Sequence, residues 1–312
     1  MSMLDAALPG RRRFRVMAAT IGSAHRRAQI SRPPMTTKLQ DRLALHTWTL
    51  DRTPLAKVLH IARATGWNAV ELRRADFSAC YEAGMTRSQV TDLIRASGVK
   101  VAVMGTEYGW IFAKGAELQR LLGVLEETCE DARTLGCGMI MSAQGPGSGA
   151  LHEAAANLRE AGGIVQAHGL RLAYEFSSAA DIAINSLDIA REVLALAGHP
   201  NCGLLLDAYH LERSGRGGRG FEDVPAKEIF AFQYSDVPQG PAPAGRRPTD
   251  RLPPGKGLVR WREVFQLLKE KDYRGYLSYE APNPALWSRP PEEVAREGAQ
   301  ATRALLAAVE GA

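Results

Sequence analysis

The chain has 312 residues, 45% apolar and 23% charged, the balance of an ordinary globular protein with room for one barrel-sized domain or two small ones. No stretch is long and apolar enough to cross a membrane, which argues against a membrane partner. The net charge of +5 comes from one segment: residues 1–38 hold seven arginines, Lys38 and the single acid Asp5, which is +7 and leaves −2 for the body, so the body offers no face for nucleic acid.

The basic arm, residues 1–38, reads as a disordered extension or as sequence upstream of a functional start at Met35. Its run Met17–Ala24 is too short and too weakly apolar for an export signal. The four cysteines, Cys80, Cys129, Cys137 and Cys202, show neither metal-ligand spacing nor pairing, as expected of reduced thiols in a cytoplasmic protein.

From Leu43 onward, β-rich runs alternate with amphipathic helical segments. Strands are predicted at 43–50, 69–73, 99–104 and 138–142, separated by helices over 53–65, 86–96, 117–135 and 152–168. Four further strands follow, around the helices 187–197, 225–228 and 261–271, and a last helix spans 291–309. Glycine repeatedly stands just past a helix, where a left-handed residue ends it. Several strands are apolar throughout, as when both faces are buried. Eight such units in 39–312 predict an α/β fold, a single-domain (β/α)₈ TIM barrel. No Gly-rich dinucleotide fingerprint follows the first strand, which counts against a doubly wound sheet.

The last four strands each end in an oxygen-bearing polar residue: Glu175 after Leu172-Ala173-Tyr174, Asp207 after Leu204-Leu205-Leu206, Gln233 after Phe230-Ala231-Phe232, and Glu280 after Leu277-Ser278-Tyr279. Burying such groups without partners costs several kcal/mol each. A divalent cation shared by all four is the economical partner, and an all-oxygen set suits Mg²⁺ or Mn²⁺, with Co²⁺ next. In a TIM barrel these strand ends converge on the C-terminal mouth, where active sites of that fold lie.

With those residues in view, the chain resembles the xylose-isomerase-like TIM-barrel superfamily, in particular its sugar phosphate isomerase/epimerase branch, over about 43–309. In that family the fifth to eighth strands supply Glu, Asp, His and Glu to a divalent metal. The resemblance carries over to Glu175 in Tyr174-Glu175-Phe176, to Asp207 and His210 in Asp207-Ala208-Tyr209-His210, and to Glu280 in Tyr279-Glu280-Ala281. It implies that His210 touches substrate, that Pro254-Gly255-Lys256-Gly257 is the family's turn before the last helix, and that Arg251 contacts substrate. Gln233 departs from the family's histidine, although a similar glutamine occurs in some dehydroshikimate dehydratase-like members.

The resemblance implies a divalent-metal-dependent isomerase or epimerase of a ketose or cyclic keto-polyol, working through an enediolate with Glu175 and Glu280 as the acid/base pair and His210 as a hydrogen-bond donor. Lys256, on the long loop 238–257, and His46, Trp48 and Glu107, at the ends of the first and third strands, are further candidate substrate contacts; Glu71, Arg73, Tyr108 and Trp110 are placed at the mouth by position alone. The alternative is a lyase on the same scaffold that removes water from a hydroxy-ketone such as dehydroshikimate or an inosose, although the third-strand segment Met104–Trp110 lacks the arginine that dehydroshikimate dehydratase-like members carry there. A repair nuclease of the endonuclease IV type needs further histidines that this chain lacks. The expected partner is a small sugar or polyol, and the resemblance implies a homodimer or homotetramer.

Overall fold

The computed structural model describes residues 38–243, 245 and 247–310, so the expected N-terminal extension lies outside the described residues apart from Lys38. Eight short strands, β1 (Leu43–His46), β2 (Ala69–Leu72), β3 (Lys100–Gly105), β4 (Met139–Ala143), β5 (Arg171–Glu175), β6 (Cys202–Asp207), β7 (Ile229–Tyr234) and β8 (Leu277–Tyr279), pair in parallel in that order, and β8 returns to β1 to close a barrel. The helices are α1 (Leu55–Ala64), α2 (Arg74–Glu82), α3 (Arg87–Ser97), α4 (Gly115–Thr134), α5 (Leu151–Ala167), α6 (Leu187–Ala197), α7 (Ala208–Arg213), α8 (Trp261–Glu270), α9 (Pro284–Trp287) and α10 (Pro291–Glu310).

Strand alternation sorts the side chains into two environments. Leu45, Val70, Leu172, Tyr174, Leu204, Leu206, Phe232 and Tyr234 face outward and pack with the helices in one continuous core. Ala44, Ala69, Ala173, Leu205 and Ala231 fill the lower barrel interior. Two residues further along the same strands, the interior positions become His46, Glu71, Glu175, Asp207 and Gln233, all buried. The barrel therefore turns from apolar to polar along its axis, and the polar layer sits below the C-terminal mouth.

Besides the short added helix α9, the structure differs from the sequence prediction at the first strand, after β2 and in the sixth unit. The first strand stops at His46, because His46 Nδ1 accepts the Trp48 N–H and turns the chain into a 3₁₀ segment, Thr47–Leu50. The additional helix α2 follows β2; Asp76 starts it by accepting the Arg73 main-chain N–H at 2.7 Å while its other oxygen takes the Arg73 guanidinium. The sixth unit gains a helix not expected from the sequence, α7, directly after β6; with the expected short turn, a 3₁₀ segment at Ala226–Glu228, it brackets the arginine-glycine run, whose Arg216 and Arg219 are paired with Asp223 and Glu270. The four cysteines are free thiols. No helix among the described residues is long and apolar enough to cross a membrane.

Candidate active site

Three of the four ligand-tipped strands end where their registers align. Asp207 lies level with Gln233, and Gln233 with Ser278, two residues before Glu280. Asp207 also begins α7: its Oδ1 accepts the Tyr209 N–H at 3.0 Å. That cap explains the Asp-x-x-His spacing, since residues three apart on a helical turn share a face and His210 is swung back over Asp207. His210 Nε2 lies 3.9 Å from Glu175 Oε1 and 3.9 Å from Asp207 Oδ2. One ligand atom from each of Glu175, Asp207 and His210 falls within 4.8 Å of the others, a buried cluster able to hold a metal ion.

The tautomer of His210 is set by its neighbours. Its Nδ1 accepts the main-chain N–H of Ser178 at 3.1 Å, so the ring proton sits on Nε2. Burial lowers the imidazole to about 4, with the Arg251 charge acting in the same direction, so the ring is neutral near pH 7. Nε2–H lies 3.3 Å from Arg251 Nη2, and two donors converging there leave a place for one acceptor oxygen. Ser178, whose hydroxyl also lies 2.9 Å from Nδ1, is not singled out by the sequence, because it is brought to His210 from 32 positions away.

Arg251 is buried at the centre of the site. Its Nη1 is 2.6 Å from Asp207 Oδ2 and 2.9 Å from Glu280 Oε2, and its guanidinium stacks 4.5 Å over the Tyr209 ring. The site's cation thus bridges two carboxylates, which offsets the desolvation of three charges. The other Glu280 oxygen is 3.2 Å from His46 Nε2. His46 also accepts at Nδ1, so its Nε2 carries the proton and donates to Glu280. Burial holds the His46 imidazole well below its usual range, helped by Arg73 and Arg251.

Glu175 stands in contrast. Its Oε1 is buried with no hydrogen-bond partner. Burial, then repulsion from Glu280 and Asp207, raises its carboxyl well above the ordinary range. Glu280 is raised in the same way by burial, but Arg251 pulls it back. Gln233 donates its amide Nε2 to Glu71 Oε1 at 2.7 Å, while its own Oε1 is buried and unpartnered. Two orphaned acceptor oxygens, on Glu175 and Gln233, beside Asp207 fit a hard divalent cation.

The mouth above is a cavity of about 340 Å³ lined by Glu175, His210, Arg251 and Glu280 on one side and by His46, Trp48, Arg73 and Tyr108 on the other. Arg247 lies 4.2 Å over the Trp48 ring. Arg73 is paired with Asp51 and Asp76. Two expected substrate contacts are not brought to this cavity. Glu107 instead pairs with Arg120 at 2.7 Å, because it lies beyond the strand end, where alternation no longer fixes the direction of a side chain. Lys256 is exposed on its turn. Trp110 is also away from the mouth, buried with its Nε1–H on Ser142 Oγ at 2.9 Å.

The turn's role is to place Arg251. Asp236 Oδ2 accepts the Gly255 N–H at 2.7 Å and the Trp261 Nε1–H at 2.9 Å, and the Asp236 and Leu252 main chains form a bridge. Gly255 has φ +84°, and a Cβ at Gly257 would collide with the Val237 carbonyl, so both glycines are required there.

The sequence model of the xylose isomerase-like TIM barrel family matches residues 59–305. The chain belongs to this family. Among its curated relatives, an inosose isomerase of Halalkalibacterium halodurans is 22% identical over 260 residues, which is 81% of this chain and 92% of the relative. A 3-dehydroshikimate dehydratase of Pseudomonas putida is 24% identical over 248 residues, 78% of this chain but 38% of that longer protein. Among solved structures, the IolI protein with a bound zinc atom superposes with a TM-score of 0.77 at 18% identity, covering 86% of this chain and 99% of that one. The xylose isomerase-like fold is thus shared with enzymes of both isomerase and dehydratase type.

Proposed function

We propose that this family member is a divalent-metal-dependent isomerase/epimerase of a ketose or cyclic keto-polyol, acting through an enediolate with Glu175 and Glu280 as acid/base pair. The observation that carries the reading is the pair of buried carboxylates Glu175 and Asp207 beside His210, with unpartnered oxygens on Glu175 and on Gln233, which is level with Asp207. Glu175, Asp207, Gln233 and Glu280 would hold Mn²⁺ or Mg²⁺, with Co²⁺ also suited. When bound, such an ion supplies a Lewis acid that polarises the substrate carbonyl.

The two glutamates are not equivalent. Glu280 has Arg251 and His46 to support its negative charge, whereas Glu175 Oε1 has no donor. When two carboxyls are held apart in this way, their roles divide. Glu280 takes the proton from the carbon next to the carbonyl, and Glu175 returns one to the opposite face. His210 Nε2–H, with Arg251 beside it, donates to the developing oxyanion. Trp48 and Tyr108 wall the other side of the cavity and exclude water.

One observation favours the dehydratase alternative. Tyr108 lines the cavity, and its hydroxyl, which donates to Met141 Sδ at 3.2 Å, has only that weak acceptor to leave. That supplies an acid for a departing β-hydroxyl. The test is proton exchange by NMR in deuterated buffer with Mn²⁺ and a panel of ketoses, an inosose and dehydroshikimate. Epimerisation predicts deuterium at the carbon beside the carbonyl without loss of mass. Formation of an ultraviolet-absorbing enone assigns the lyase, and no exchange with any keto-polyol rejects both.

A further inference from the structure

Glu71 is a buried acid that the proposed chemistry does not use. It stands on β2, level with His46, and its Oε1 accepts the Gln233 Nε2–H from β7 at 2.7 Å. A primary amide at this place has two faces, one that donates and one that accepts. If it turned over, its NH₂ would take the place of the unpartnered Oε1, and a cation bound there would meet a donor. The pairing of Glu71 Oε1 with the amide nitrogen holds the other orientation. It leaves Gln233 Oε1 as the free, buried acceptor. Asp207, level with Gln233 on the neighbouring strand, offers the adjacent oxygen.

We propose that Glu71 is a positioning residue that locks the Gln233 amide so that its carbonyl oxygen, not its nitrogen, faces the cation site. The inference rests on the metal-dependent reading above. It assigns a use to a buried acid at the second strand, and it makes Glu71 and Gln233 one unit that replaces an imidazole with a hard oxygen donor. Partners of this kind act through ligand orientation, and their removal weakens metal binding by about 10- to 100-fold. A hard carbonyl donor favours Mn²⁺ over Zn²⁺ relative to imidazole.

The test is titration of the purified full-length protein with Mn²⁺. Glu71→Leu is expected to weaken Mn²⁺ binding by roughly 10- to 100-fold. Glu71→Gln keeps an acceptor for the amide and should hold affinity within about threefold of wild type, since orientation is retained. Gln233→Leu lowers affinity too, and adding Glu71→Leu to it should change nothing further. Equal losses in Glu71→Leu and Glu71→Gln would assign Glu71 a charge effect and overturn the positioning role, as would additive losses in the double variant. If Glu71→Leu does not fold, Gln233→His carries the test: its imidazole can still donate to Glu71, and the ratio of Zn²⁺ to Mn²⁺ affinity should rise by about tenfold or more. An unchanged ratio overturns the inference. Wild-type protein that binds no Mn²⁺ overturns the metal reading and this one with it, whereas wild-type binding with indifferent Glu71 variants overturns this one alone.

Discussion

The two halves of the barrel mouth are built differently. The strands β5 to β8 deliver Glu175, Asp207, Gln233 and Glu280 from rigid positions inside the barrel, with His210 and Arg251 folded back over them. The first half contributes His46, Trp48, Arg73 and Tyr108, mostly from segments just beyond the strands, and two of its polar members are already committed: His46 to Glu280, and Arg73 to Asp51 and Asp76. One side gathers carboxylates around Arg251 and leaves an oxygen of Glu175 and of Gln233 without partners, and the other is aromatic with its polar groups paired. Under the proposed function, reaction chemistry would belong to the first and substrate fit to the second.

That contrast is broken most severely at Glu280. Glu280→Gln should reduce proton exchange by on the order of a thousandfold while the protein still folds, at a lower melting temperature because Arg251 loses one of its two carboxylates. Exchange at the wild-type rate would remove Glu280 from the acid/base pair. Next comes Arg251→Met, which leaves Asp207 and Glu280 buried without their shared cation. Loss of one member of a buried ion pair costs about 3–5 kcal/mol, so urea unfolding of the metal-free protein should show a decrease of that order, partly restored by Mn²⁺. A decrease below about 1 kcal/mol, the worth of an exposed pair, would mean that Arg251 does not bridge the carboxylates.

A smaller effect follows from pH. Burial, with Glu280 and Asp207 nearby, raises the Glu71 carboxyl from 4.5 to about 8. Its contribution to stability is full below about 4.5, where folded and unfolded chains are both protonated, and is lost as pH rises through about 8. His210 acts oppositely: lowered from 6.5 to about 4, it costs stability as pH falls from about 6.5 towards 4. Glu71→Gln should therefore flatten the alkaline decline of the metal-free protein between pH 5 and 8, and parallel melting curves for the two proteins would refute it. The smallest effect belongs to the aromatic side. Trp48→Ala removes the ring beneath Arg247, worth about 1 kcal/mol, so KM should rise about fivefold with kcat little changed. A fall in kcat with KM constant would move Trp48 into the chemistry.

Strand periodicity and the polar residues at the strand ends were enough to read the barrel and the acidic half of the site. An apolar run that stops at a carboxylate is a local pattern, and repetition in four consecutive strands gives it weight. Glu107, by contrast, was expected at the mouth and pairs with Arg120, because beyond a strand end nothing in the sequence sets which way a side chain turns. Lys256 belongs to a turn whose glycines and Asp236 hold the backbone while its own side chain is solvated.

The chain's own residues determined the eight-unit barrel, the polar ends of its last four strands and the capped Asp207–His210 turn, because propensity, alternation and capping act over a few neighbours. Tertiary structure alone decided that Arg251 would sit between Asp207 and Glu280, that a Ser178 main-chain N–H would set the His210 tautomer, and that Glu71 would meet Gln233. Those contacts join residues between 29 and 162 positions apart, and only closure of the barrel brings such pairs within hydrogen-bonding distance.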